Sequence, residues 1–78
     1  MWHGLDEFLH VVEHGSFTKA AKVMEVSTSH ISRQVQQLEN RLGSLLFQRT
    51  TRKISLTDAG REYAVKLKAI KQELIDAN

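Results

Sequence analysis

Leu5, Phe8, Leu9 and Val12 fall at i, i+3, i+4 and i+7, the spacing that sets four apolar groups along one stripe of a helix. Gly15 follows where such a helix would end. Ser16 is a residue type that caps helix N-termini, and behind it Phe17, Ala20, Ala21 and Met24 repeat the helical spacing over about two turns. The small alanines permit close approach to a neighbouring helix. After a break at Glu25-Val26-Ser27, a third helix is predicted, capped by Ser27. Ile31, Val35, Leu38 and Leu42 form its inward stripe and Gly43 stops it.

Beyond Gly43 the period changes. Leu45, Phe47 and Arg49 alternate with their neighbours, as does Lys53-Ile54-Ser55-Leu56, so two short strands are predicted around Thr50-Thr51-Arg52. Thr57 then caps a long final helix whose Asp58 and Glu62 complement the helix dipole. Ala59, Tyr63, Leu67, Ile70, Leu74 and Ala77 follow one another in steps of three or four residues. Such a seam resembles that of a coiled coil and is expected to need a partner helix. Glu62 and Lys66 are spaced for an i, i+4 ion pair of about 0.3 kcal/mol. Helix, tight turn and capped helix in this order match a helix-turn-helix, although the glycine usual in its turn is missing.

The chain has 78 residues, no cysteine, no proline and 41% hydrophobic content. These values fit one small domain with a single core and no disulfides. A chain this short buries only about 60% of its unfolded surface, which leaves little room for a deep substrate pocket. Apolar runs such as Leu45-Leu46-Phe47 are far shorter than the roughly 20 residues that cross a bilayer, and no signal peptide follows Met1. The expected location is the cytoplasm, and the lack of cysteine agrees with a reducing compartment.

Charge is unevenly spread. Residues 1–46 hold four bases and five acids, residues 47–78 seven bases and four acids, and between Ser44 and Thr57 stand Arg49, Arg52 and Lys53 with no acid. That local basic patch suits a polyanion. The outward face of the third helix carries Ser29, Arg33, Gln36, Gln37 and Asn40, flanked by Thr28 and Ser32, with no carboxylate at its centre. Arg reads guanine and Asn or Gln reads adenine through paired hydrogen bonds in the major groove. The same residues would also make an ordinary solvated helix face. The helix-turn-helix order and the basic hairpin that follows weigh for nucleic acid. Arg49, Arg52 and Lys53 are placed to follow the phosphate backbone or enter a minor groove, each neutralised phosphate adding about 0.9 to the salt dependence. The alternative is that they only guard strand edges.

One competing motif stands out. His10-Val11-Val12-Glu13-His14 matches H-x-x-E-H, two potential zinc ligands one helical turn apart with a carboxylate between them. A catalytic zinc site needs a third protein ligand and an open cleft, for which this chain is too small, so solvated histidines at a helix end are the expectation. Neither a nucleophile elbow beside Ser27, His30 and Asp58 nor a glycine-rich phosphate loop is present. No enzymatic activity, cofactor or metal is therefore expected.

Four ordered segments resemble the N-terminal DNA-binding domain of LysR-type transcriptional regulators: Leu5-x-x-Phe8; Gly15-Ser16-Phe17-Thr18-x-Ala20-Ala21; Ser32-Arg33-Gln34-Val35-x-x-Leu38-Glu39; and Leu46-Phe47-x-Arg49 with Leu56-Thr57-x-Ala59-Gly60. The resemblance covers essentially the whole chain. It implies a mainly α fold: a winged helix-turn-helix at 1–57 with a short two-stranded wing, and a linker and dimerisation helix at 58–78. By position, Thr28, Ser29, Ser32 and Arg33, joined by Gln36 from the outward face, would read the major groove. Ser16, Thr18, Arg49 and Arg52, with Lys53 of the basic tip, would contact backbone or minor groove.

Tyr63, Leu67, Ile70 and Leu74 would pair two linker helices into a homodimer, with higher oligomers in a full-length protein. The implied function is sequence-specific binding of double-stranded DNA, as a dimer on an interrupted inverted repeat. A C-terminal effector domain that binds a small molecule is implied but absent from these residues. Where the family often has Gln-Pro-Ala, this chain has Thr28-Ser29-His30, which leaves the preferred bases open and makes His30 an expected exposed spectator. The alternatives are a protein-interaction or dimerisation module and the winged-helix domain of another regulator family.

Overall fold

The computed structural model describes residues 4–49 and 54–77, in the order α1 (Leu5–His14), α2 (Phe17–Met24), α3 (Thr28–Leu42), β1 (Phe47–Arg49), β2 (Ile54–Leu56) and α4 (Asp58–Ala77). Helix boundaries follow the polar caps. The Ser16 hydroxyl oxygen accepts the Lys19 N–H at 3.2 Å, Ser27 that of His30 at 3.0 Å, and Thr57 that of Gly60 at 2.9 Å. Each satisfies a donor that the helix cannot bond internally. Gly43 closes α3 in a left-handed conformation, φ 70°, its N–H donating to the Glu39 carbonyl.

The turn between α2 and α3 needs a left-handed residue, and Glu25 supplies it at φ 58°, ψ 43°. A non-glycine residue there costs about 1–2 kcal/mol. The local hydrogen bonds offset that strain: Val26 N–H donates to the Ala21 carbonyl at 3.0 Å and Glu25 N–H to that of Lys22 at 3.3 Å. The helix-turn-helix is therefore made without the glycine that its turn usually has.

α1, α2 and α3 pack on one another and enclose Phe8, Val11, Phe17, Ala20, Ala21, Ile31, Val35 and Leu38. Phe47 at the start of β1 completes the core, with its ring centroid 5.3 Å from that of Phe8 and 5.5 Å from that of Phe17. Tilted aromatic pairs at such separations add to simple burial. β1 and β2 pair antiparallel, Phe47 opposite Leu56, Gln48 opposite Ser55 and Arg49 opposite Ile54.

Leu46 ties the wing to both neighbouring helices. Its N–H donates to the Glu39 carboxylate of α3 at 2.7 Å and its carbonyl accepts the Thr57 N–H at 3.0 Å, just before α4. The Phe47 N–H reaches the same Glu39 oxygen at 3.3 Å. Among the described residues Glu39 is the one charged side chain that is buried. Spacing gave no sign of this role, because Glu39 neighbours Leu38 at the edge of the apolar stripe.

Four expectations require correction. Leu42 is 42% exposed rather than inward: Gly4, the N-cap of α1, stands beside Gln34 and Leu38, so Leu42 lies a turn beyond its cover. Leu45 points outward while Leu46 and Phe47 are buried in succession, because regular strand begins only at Phe47 and Glu39 holds the preceding backbone. Leu67 belongs to the domain's own core, buried with Ala64, and the partly buried Tyr63 packs against it, its ring 5.8 Å from Phe8. Leu67 is therefore not free to form the seam expected of it. The Glu62–Lys66 pair is not formed among the described residues, and Arg61 pairs with Asp58 at 2.8 Å instead.

Candidate nucleic-acid interface

The residues expected to meet DNA come from three elements. Thr28, Ser29, Arg33 and Gln36 of α3 are exposed and Ser32 is partly so; Ser29, Arg33 and Gln36 lie on the side opposite Ile31, Val35 and Leu38, with Thr28 and Ser32 on one flank. The alternation of faces follows directly from the 3.6-residue repeat. Glu39 is the only acidic residue of α3, and it is turned inward to the wing. The outward face therefore presents Arg33 with no carboxylate of its own helix to compete for it.

Arg49 at the end of β1 lies across the start of α2, its guanidinium 4.6 Å from the centre of the Phe17 ring. A cation over an aromatic face is held electrostatically as well as by contact. From there it donates to the Ser32 hydroxyl at a long 3.5 Å. The structure thus brings Arg49 and Ser32 together, and Phe17 is the residue between Ser16 and Thr18. Sequence spacing could not reveal this junction, since Arg49 and Ser32 are 17 positions apart.

Ser16 accepts the Lys19 N–H, which leaves its own hydroxyl proton available to an outside acceptor. Thr18 is exposed in the first turn of the same helix. Arg52 and Lys53 lie outside the described residues. His30 is not the expected spectator: half-buried, its Nε2 stands 3.7 Å from Glu7 Oε2, while the other Glu7 oxygen accepts the Gly4 N–H at 3.1 Å. That contact lies between the first turn of α3 and α1.

Among the described residues no three His, Asp, Glu or Cys side chains converge as a metal site. No helix among the described residues is long and apolar enough to cross a membrane.

A helix-turn-helix whose second helix turns a polar, acid-free face outward, followed by a two-stranded wing tied to that helix, defines the winged helix-turn-helix class. Residues 2–61 match the family described as bacterial regulatory helix-turn-helix protein, lysR family, and the chain belongs to that family. An HTH-type transcriptional regulator of Xanthomonas campestris pv. campestris is 45% identical over 99% of this chain and 23% of its own length. The regulator CrgA of Neisseria meningitidis is 44% identical over 94% of this chain and 24% of its own. The chain thus spans about a quarter of the length of these relatives.

Among solved structures, the DNA complex of the CbnR DNA-binding domain superposes with a TM-score of 0.89 at 35% identity, covering 99% of this chain and 88% of that one. The BenM DNA-binding domain on catB site 1 DNA gives 0.81 at 35% identity, covering 99% and 90%.

Proposed function

We propose that this chain is a sequence-specific reader of double-stranded DNA, working as a homodimer on an interrupted inverted repeat. The observation that carries the reading is the face of α3: Thr28, Ser29, Ser32, Arg33 and Gln36 turn outward together while the helix's single acid is buried. α3 enters the major groove, with Arg33 pairing guanine through two hydrogen bonds. Ser16, Thr18 and Arg49, with Arg52 and Lys53, hold the flanking backbone or minor groove. Residues 1–57 do the reading and residues 58–78 set the spacing between two copies. As a reader of bacterial DNA the chain works in the cytoplasm, and control by a small-molecule effector is exerted through sequence other than these residues.

Selection of bound duplexes from a random pool tests the reading, and enrichment of two symmetry-related half-sites is the expected result. On the selected site Arg33→Ala is expected to cost about 1–3 kcal/mol of affinity and to relax base preference at one position per half-site, with little change on random DNA. Equal losses on both duplexes, measured by titration at fixed salt, would remove Arg33 from the reading set.

The dimer surface differs from the seam expected from spacing. With Leu67 inside the core and Tyr63 partly buried against it, Ile70 and Leu74 offer the larger apolar surface, 46% and 50% exposed. Leu74 also borders an apolar groove with Leu5, Leu9 and Leu67. A second copy's α4 covers this surface in the proposed dimer. Ile70→Asp is expected to weaken self-association by about tenfold or more, since burying an isoleucine contributes about 1.5–3 kcal/mol. The fold should be intact because Ile70 is outside the core. Sedimentation showing the variant and parent equally dimeric would sink this assignment.

A further inference from the structure

We infer that His10 and His14 form a two-imidazole binding site for a divalent transition-metal ion on the outer face of α1. The i, i+4 step places the two Cβ atoms about 5–6 Å apart on one helix face. The rings are stacked, centroids 6.1 Å apart and planes 26° from parallel. With metal–nitrogen bonds of about 2.0–2.1 Å, one ion is shared once side-chain rotation turns an in-plane nitrogen of each ring toward it.

The second observation concerns the proton. His10 Nδ1 is 2.8 Å from the Asp6 carbonyl oxygen. A carbonyl only accepts, so Nδ1 carries a proton, and in the neutral ring the lone pair is then on Nε2. This is the arrangement in which metal-binding histidines are held, one ring nitrogen donating to a carbonyl so that the other is oriented toward the ion. Asp6 Oδ1, 3.6 Å from the same nitrogen, adds a favourable negative charge. The His14 ring makes no hydrogen bond or ion pair with another described residue, which leaves its nitrogens available to ligate.

No third side chain joins the pair among the described residues, so water fills the remaining positions and the site binds without supplying peptidase chemistry. Imidazole donors select zinc, copper or nickel over calcium or magnesium. His14 ends α1, two residues before Ser16. An ion here also adds positive charge beside the start of α2.

The test is calorimetric titration of Zn²⁺ into the full 78-residue chain carrying His3→Gln, which removes the other imidazole near the start of the sequence. One ion should bind per chain. His10→Gln and His14→Gln should each lower the association constant at least about tenfold with unchanged far-ultraviolet circular dichroism. On adding Zn²⁺, the imidazole resonances of His10 and His14 should shift while that of His30 does not. A chain lacking both histidines that binds zinc as tightly, or a His3→Gln chain that binds none at millimolar Zn²⁺, would overturn the assignment.

Discussion

Gly60→Ala is expected to lower the stability of this domain by about 3 kcal/mol or more, at the top of the range for overpacked substitutions. Helix propensity alone gives the opposite sign, since alanine inside a helix is favoured over glycine by about 1 kcal/mol. The tertiary contact decides. A Cβ at position 60 would run into the backbone carbonyl oxygen of Leu46 and meet the Leu56 side chain at 3.0 Å. Neither the carbonyl nor its strand can yield freely: the Leu46 N–H is bound to Glu39, and its oxygen accepts the Thr57 N–H.

Accommodating one methyl group therefore means moving α4 away from the wing, which uncovers Ala64, Leu67 and Tyr63. In a domain of this size the melting temperature should fall by roughly 12 °C or more, at 4–8 °C per kcal/mol. Ala69→Gly, at an exposed position of the same helix, should cost only about 1 kcal/mol. A Gly60→Ala protein that melts at or above the parent would show that α4 does not approach the wing this closely.

The second large effect is expected at Glu39. Replacing it by alanine leaves the N–H groups of Leu46 and Phe47 without their acceptor in a buried place. A hydrogen bond to a charged group contributes about 1.5–3 kcal/mol, and two are lost, the 2.7 Å one at Leu46 being the stronger. A total loss of about 3 kcal/mol is expected in urea unfolding. Glu39→Gln keeps an oxygen that can accept both bonds and should cost about 1 kcal/mol, charge assistance being the part removed.

Hydrogen exchange separates this from a general loss of stability. The amides of Leu46 and Phe47 should exchange faster in Glu39→Ala than amides of α1 do, and stay protected in Glu39→Gln. Exchange that rises uniformly through the chain would show that Glu39 is not what holds the wing to α3. In the proposed complex the same substitution should also weaken DNA binding through Arg49, since β1 carries that residue to its place over Phe17.

Both predictions rest on features that linear pattern does not display. Position 60 reads as an unremarkable glycine in the first turn of a helix, and Glu39 as one more polar residue on an amphipathic one. The helices themselves were legible, because their boundaries come from short-range chemistry: a serine or threonine oxygen three residues before the amide it accepts, and a glycine able to turn left-handed at the end. The candidate site was half legible. Which residues of α3 share an outward face follows from the helical repeat alone, whereas the meeting of Arg49, Phe17 and Ser32 depends on the path of the chain between them.

The final helix shows the limit most clearly. Tyr63, Leu67, Ile70 and Leu74 follow one another at helical spacing, and that spacing carries no label for what each will touch. Packing divides them, the first two against Phe8 and the core, the last two toward solvent. The sequence by itself thus determined the elements, their order and the polar strip on α3, all governed by contacts within a few residues. Tertiary structure decided which apolar groups were left over, which acid was buried and how closely α4 meets the wing. Those depend on contacts between distant segments, where a single backbone oxygen or a shared carboxylate outweighs local preference.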